Sequence, residues 1–170
     1  IKVEGNLVED EFISFISQFK IPYVYGLTCG ELSKMLTGEK MIDVSDDFNL
    51  TVVPMQNWKR DMIWEDTGLE WVPTSPHIPQ AVTSYFYPMT GILGELRSCI
   101  SIGVGYTLPF QLVGAEWIDP DVLADLLTRA EISGLTFRPV VFTPYYAFGK
   151  KMSLKGVQIH ITEFNEADLT

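Results

Sequence analysis

The chain is poor in the residues that most often announce a chemistry. Its 170 residues contain two cysteines, two histidines, and 12 lysines and arginines against 22 acids. Cys29 and Cys99 lie far apart with no CxxC spacing, which excludes a metal or redox motif. They read as buried free thiols. His77 and His160 have no second His, Cys or acid at metal-ligand spacing, so neither a zinc site nor a cofactor is expected. A net charge of −10 with no basic cluster repels phosphate backbones and excludes nucleic acid as a partner. No apolar run reaches the roughly 18 residues of a membrane span. GxSxG is missing and neither cysteine is paired with a histidine, which leaves serine and cysteine hydrolases without support. Gly103-Val-Gly-Tyr-Thr107 lacks the third glycine of a dinucleotide loop and the lysine of a P-loop; it reads as a bulged strand or a ligand-facing turn.

What is present is concentrated. Trp58 to Pro79 holds three of the four tryptophans, with Lys59, Arg60, Asp61, Glu65, Asp66 and Glu70 between them. Pro73, Pro76 and Pro79 fix φ and remove donors, so 72–79 is a shaped loop rather than a helix or central strand. Tryptophans are usually core anchors. Here the interleaved charges argue for a surface: sugar C–H faces stack on indole rings while hydroxyls bond to charged groups.

Before this stretch the pattern is helix, cap, helix, strand. Phe12, Ile13, Phe15, Ile16 and Phe19 fall on one helical stripe across 10–19. Ile21–Tyr25 is short, apolar and extended. Thr28 and Glu31 form a capping box that opens a helix to about Leu36, with Gly38 ending it. Leu50–Met55 is β-branched and apolar, as a buried parallel strand would be. That rhythm belongs to a doubly wound α/β layer.

After it come a helix over Gln80–Leu96, with Pro88 as a break and Gly91 and Gly94 weakening it, and a half-buried strand over Ile100–Leu108. Phe110–Val113 is a further apolar piece. A helix starts firmly at Asp119-Pro120-Asp121, with Val122, Leu123, Leu126 and Leu127 as its apolar face and Gly134 as its end. Two strands follow at Leu135–Thr143 and Gly156–Thr162, joined by a polar, aromatic loop expected to be mobile. The fold class is α/β: residues 1–56 as the end of a Rossmann-like layer, and 57–170 as a mixed α+β domain. Ile1 lies inside an apparent strand end, and an acidic tail closes the chain, so the sequence reads as a piece of a longer protein.

Glu95 follows a mostly apolar approach, Tyr87 to Gly94. Apolar surroundings disfavour the charged carboxylate, which suits a general acid. The alternative is an ordinary surface pair with Arg97.

Ordered motifs then point to one family. Thr51-Val-Val-Pro-Met55, Trp58-Lys-Arg-Asp-Met62, Asp66-Thr-Gly-Leu69, Trp71-Val-Pro73 and Ser75-Pro-His-Ile-Pro79 resemble the exo-β-N-acetylmuramidase (NamZ) family. Tyr87-Pro88, Glu95, Gly103-x-Gly105, Pro109-Phe110, Gly114-Ala-Glu-Trp-Ile118, Phe137-Arg-Pro139, Phe142-Thr-Pro144 and Gly156-Val-Gln-Ile-His160 continue it in order. The resemblance implies a peptidoglycan glycosidase that removes terminal N-acetylmuramic acid from muramyl glycans. It also implies a periplasmic or extracytoplasmic location and a cleft between two α/β domains. On that reading Trp58, Arg60, Asp61, Trp64, Asp66, Thr67, Ser75, His77 and Tyr87 shape the sugar site. Glu95 is the acid/base candidate, and a second carboxyl group is required at roughly 5–5.5 Å for retention or 6.5–9.5 Å for inversion. The piece alone is expected to hydrolyse poorly. The sequence departs from the family where His77 replaces Asn and where Val104 replaces Arg. Around Glu95 it reads Gly94-Glu-Leu-Arg-Ser98 where the family reads Glu-Gly-Thr-Asn, and the departures around residues 95 and 104 motivate an alternative, a non-catalytic wall-sugar binding module; a nucleotide-dependent α/β enzyme is a third, weaker reading.

Overall fold

The computed structural model describes residues 2–94 and 99–170. The chain divides into two compact units, Ile1–Leu69 and Glu70–Thr170.

In the first unit, β1 (Glu4–Leu7) pairs antiparallel with β2 (Pro22–Val24), with an irregular register between Glu4 and Leu7. Helix α1 (Cys29–Gly38) starts where the capping box placed it. The Thr28 hydroxyl accepts from the Glu31 N–H at 3.2 Å, and the Glu31 carboxylate accepts from the Thr28 N–H at 2.9 Å. Two orphan donors are thus satisfied by side chains three residues apart.

Two other expectations fail in this unit for one physical reason. The apolar stripe over 10–19 forms a single 3₁₀ turn, Asp10–Phe12, and Glu9 gives it no side-chain cap. Ser14 and Ser17 then exchange backbone hydrogen bonds at 3.2 and 3.0 Å, closing a tight turn in place of a second helical turn. Leu50–Met55 has no regular secondary structure and joins no sheet among the described residues. Both segments need an apolar cover to be stable, and no described residue of this unit is fully buried. Phe15 is 89 % and Val53 86 % exposed; only Val52 turns inward, against Gly30 of α1. Cys29, at the first position of α1, is exposed rather than buried, because that turn faces solvent; Cys99, in the second unit, is exposed as well.

The second unit holds the core. Its sheet is antiparallel in the order β3 (Leu112–Ala115), β5 (Leu154–Ile161), β4 (Leu135–Phe142). β5 is central and reads Leu-x-Gly-Val-Gln-Ile, with Leu154, Val157 and Ile159 buried. Helix α2 (Thr83–Gly94) runs through Pro88. The ring removes the donor that the Ser84 carbonyl would use. Burial offsets that loss: Phe86, with Met89 and Leu93, packs into a cluster containing Ile102, Phe110 and Ile159. A fully buried side chain of this size contributes about 1.5–3 kcal/mol. The Thr90 hydroxyl donates to the Phe110 carbonyl at 2.9 Å and stitches α2 to the chain before β3. A second cluster, Leu112, Phe142 and Leu154, fills the other end of the sheet with Tyr106 and Met152.

Helix α3 (Pro120–Arg129) is capped by Asp119, whose carboxylate accepts from the N–H groups of Asp121 and Val122 at 3.1 and 3.2 Å. It packs on β4 and β5. Its inward residues are Leu123, Ala124 and Leu127, whereas Val122 and Leu126 are exposed.

Ile100–Leu108 is not a half-buried strand. Gly103 and Gly105 take φ of +79° and +91° and turn the chain. Ser101 keeps one isolated bridge to Gly114. The alternation of apolar and small residues reflects burial on both sides of a compact turn, not two faces of a strand.

Candidate functional site

The predicted site residues fall in both units, and each group is organised around an aromatic ring. In the first unit Arg60 is the centre. Its guanidinium lies 5.5 Å from the Trp58 ring centroid, donates to the Gly26 carbonyl at 2.8 Å and forms an ion pair with Glu31. An exposed cation–π contact and an exposed, solvent-screened ion pair each contribute little, so Arg60 acts mainly as a clamp. It fixes Trp58 relative to the cap of α1. The Glu31 carboxyl is held below its ordinary value by the Thr28 N–H first and by Arg60 second. Glu31 is thus a member of this cluster that lies 29 residues before its partner.

Trp64 opens a 3₁₀ turn, Trp64–Thr67. Its indole N–H donates to the Leu69 carbonyl at 2.9 Å. The Asp66 carboxylate accepts from the Ile63 N–H at 3.0 Å, and the Thr67 hydroxyl donates to the Trp64 carbonyl at 2.6 Å. Gly68, at φ +65°, ends the turn. Asp66 and Thr67 therefore shape the loop that presents the indole. Asp61 is exposed, and Trp58 and Trp64 are half-buried. Rings in that state keep a face for a ligand while their edges are anchored.

In the second unit the proline-rich stretch is a loop, as its prolines require. Ser75 and Ile78 form an isolated bridge, and the Ile78 N–H donates to the Ser75 carbonyl at 3.0 Å. The Ser75 hydroxyl accepts from the His77 N–H at 3.3 Å. The His77 ring stacks on Tyr146, with centroids 6.0 Å apart and planes inclined by 28°. Tyr87, half-exposed on α2, stands edge-on to the buried Phe110 at 5.1 Å. Glu95, the acid/base candidate, lies outside the described residues.

The sequence alone does not mark Tyr146. The signal was the aromatic pair Tyr145-Tyr146 inside a polar loop, but a pair of tyrosines carries no spacing rule. Its meeting with His77 is a tertiary event across 69 positions (146 minus 77). Among the described residues no group of three or more His, Cys, Asp or Glu could hold a metal ion, and no helix is long and apolar enough to cross a membrane.

Fold and surface first define a class: an α/β chain with an antiparallel second sheet and ring-and-charge clusters on the segments that follow α1 and β4. Two profiles of one family match it consecutively. "Exo-beta-N-acetylmuramidase NamZ, N-terminal" covers residues 1–82 and "Exo-beta-N-acetylmuramidase NamZ, C-terminal" covers 85–170. The chain belongs to the NamZ exo-beta-N-acetylmuramidase family. It is 37 % identical over 161 residues to the peptidoglycan beta-N-acetylmuramidase NamZ of Bacillus subtilis (strain 168), covering 95 % of this chain and 37 % of that protein. A crystal structure of a DUF1343 family protein from Bacteroides fragilis NCTC 9343 matches 99 % of this chain and 43 % of its own, at 56 % identity and a TM-score of 0.92. A second DUF1343 structure from the same organism, 24 % identical with a TM-score of 0.66, shares the fold. The chain thus spans about two-fifths of the length of these relatives.

Proposed function

We propose that the protein to which this chain belongs is a peptidoglycan glycosidase that releases terminal N-acetylmuramic acid from the non-reducing end of muramyl glycans. The observation that carries this reading is the consecutive match of both family profiles, which leaves only residues 83 and 84 between them. The ring-and-charge clusters support it chemically. Trp58 held by Arg60, Trp64 on its 3₁₀ turn, His77 and Tyr87 offer flat faces beside polar groups, which is what a pyranose requires. Asp61 and Ser75 supply hydrogen-bonding groups, while Asp66 and Thr67 hold the loop. Glu95 is the acid/base residue in this chain, and the second carboxyl group required by glycoside hydrolysis completes the pair. Because the substrate is wall material, the protein works outside the cytoplasm, in the periplasm or beyond.

The test is hydrolysis by the intact protein. Release of N-acetylmuramic acid from a muramyl disaccharide, with a loss of about 10²–10⁴-fold in Glu95→Gln, is the expected result for a general acid. Full activity in Glu95→Gln would remove that residue from the mechanism. The alternative is a non-catalytic wall-sugar binding module, motivated by the departures from the family pattern around residues 95 and 104. Binding of muramyl glycans without turnover would establish it.

A further inference from the structure

The loop between β4 and β5 is far longer than the connection needs. Antiparallel neighbours are joined by two to five residues in most hairpins, whereas residues 143–153 make eleven here. The loop is also chemically distinct. From Phe142 to Lys155 there are three lysines and no acid, within a chain of net charge −10.

Its backbone is tightly held. Pro144 and Leu154 are fully buried at its two ends. The Tyr145 N–H donates to the Gly105 carbonyl at 2.7 Å, and the Lys151 N–H returns to the Pro144 carbonyl at 3.2 Å. Met152 bonds to the Gly149 carbonyl at 2.8 Å. Ala147, Gly149 and Lys151 all sit in the left-handed region, with φ of 62°, 82° and 65°. Two of the three are not glycine, so the surroundings impose a conformation those residues would not choose.

What this holds in place is a pair of rings. Tyr145 is 77 % exposed, and Tyr146 is 50 % exposed with His77 stacked against it. Neither ring serves either apolar cluster of the unit. Lys150 and Lys151 stand on the same turn, both exposed, and neither ammonium joins an ion pair with a described residue. Rigid exposed rings bind with little ordering cost. Rings combined with ammonium groups that pair with no described residue select a ligand that offers a ring face and a carboxylate.

We propose that residues 143–153 form a carboxylate-reading sugar subsite: Tyr145 and Tyr146 take a pyranose face, and Lys150 and Lys151 pair with an acid substituent on that ring. The identity of the sugar rests on the muramidase reading, since N-acetylmuramic acid differs from N-acetylglucosamine by its lactyl carboxylate. The platform itself rests on the geometry of the loop.

The experiment titrates the intact protein with N-acetylmuramic acid and with its methyl ester, alongside hydrolysis of a muramyl disaccharide. The acid should bind about tenfold more tightly than the ester, as expected for a charge-assisted contact. In Lys150→Gln/Lys151→Gln that ratio should fall to near one. Tyr145→Ala should weaken both ligands roughly threefold to tenfold, with no change in melting temperature because the ring is exposed. A preference for the acid that survives in the double lysine variant overturns the subsite, as does absence of binding of either ligand to the wild type. Hydrolysis with an unchanged acid preference in the variant refutes the subsite and leaves the muramidase reading standing. Lysine-dependent acid binding without hydrolysis does the reverse.

Discussion

Replacing Gly105 by alanine should loosen the Tyr145–Tyr146 platform more than any other single-methyl change. An added Cβ would stand 2.0 Å from the Tyr146 carbonyl oxygen, 2.8 Å from its carbon and 3.3 Å from its nitrogen. The obstacle is backbone, so no side chain can swing away. The residue also has φ +91°, which costs an L-residue about 1–2 kcal/mol. Relief by separation would stretch the Tyr145–Gly105 hydrogen bond, worth about 1 kcal/mol. The total is about 2–3 kcal/mol. For a cooperative unit the size of Glu70–Thr170, each kcal/mol moves the melting temperature by about 4–8 °C, so the shift should be about 8–24 °C downward. Gly38→Ala is the internal control. It lies at the end of α1 with no heavy atom within 4 Å of the added methyl, and alanine is favoured over glycine in a helix by about 0.5–1 kcal/mol. Its melting temperature should hold or rise slightly. Thermal unfolding of the intact protein reads both. A Gly105→Ala protein that melts within about a degree of wild type would refute the packing argument.

Three further outcomes follow from the same geometry. Leu112→Ala, at a fully buried position between Phe142 and Leu154, should cost about 2–5 kcal/mol by denaturant unfolding. Thr28→Ala removes the cap of α1 and should cost about 1 kcal/mol in the same assay. The Glu31 carboxyl, lowered from its ordinary 4.5 by the Thr28 N–H and then by Arg60, gives a pH dependence. A depressed folded value adds stability above the ordinary value and loses it as pH falls through 4.5 and then through the folded value. In Arg60→Ala, NMR titration of Glu31 should show only partial return to the ordinary value, because the leading cause is the backbone donor. Complete return would reverse that order.

The parts of the fold that were legible are those written locally. Thr28 with Glu31, and Asp119 with Pro120, encode helix starts within four residues, and both helices begin there. Val157 and Ile159 mark the central strand by their own alternation. The failures have non-local causes. The stripe from Phe12 to Phe19 and the run Leu50–Met55 carry correct periodicities, but a period only states which face would be buried if a cover existed. At Gly103 and Gly105, period two arose from a turn buried on both sides. The site shows the same division. Trp58 and Arg60 stand out because rings and charges are adjacent in the chain, and His77 because it lies in a proline-shaped loop. Glu31 and Tyr146 did not, since their partners come from 29 and 69 positions away. The polar, aromatic composition of Pro144–Lys155 suggests a mobile loop, but composition does not show the burial of Pro144 or the bond from Tyr145 to the Gly105 carbonyl.

The proposed cleavage of a muramyl linkage is read from the sugar released when the intact protein meets a disaccharide with N-acetylmuramic acid at its non-reducing end. Free N-acetylmuramic acid should appear in amounts that grow with time and exceed the enzyme concentration. Saturable binding of the disaccharide with no release would contradict it and establish a binding module in its place.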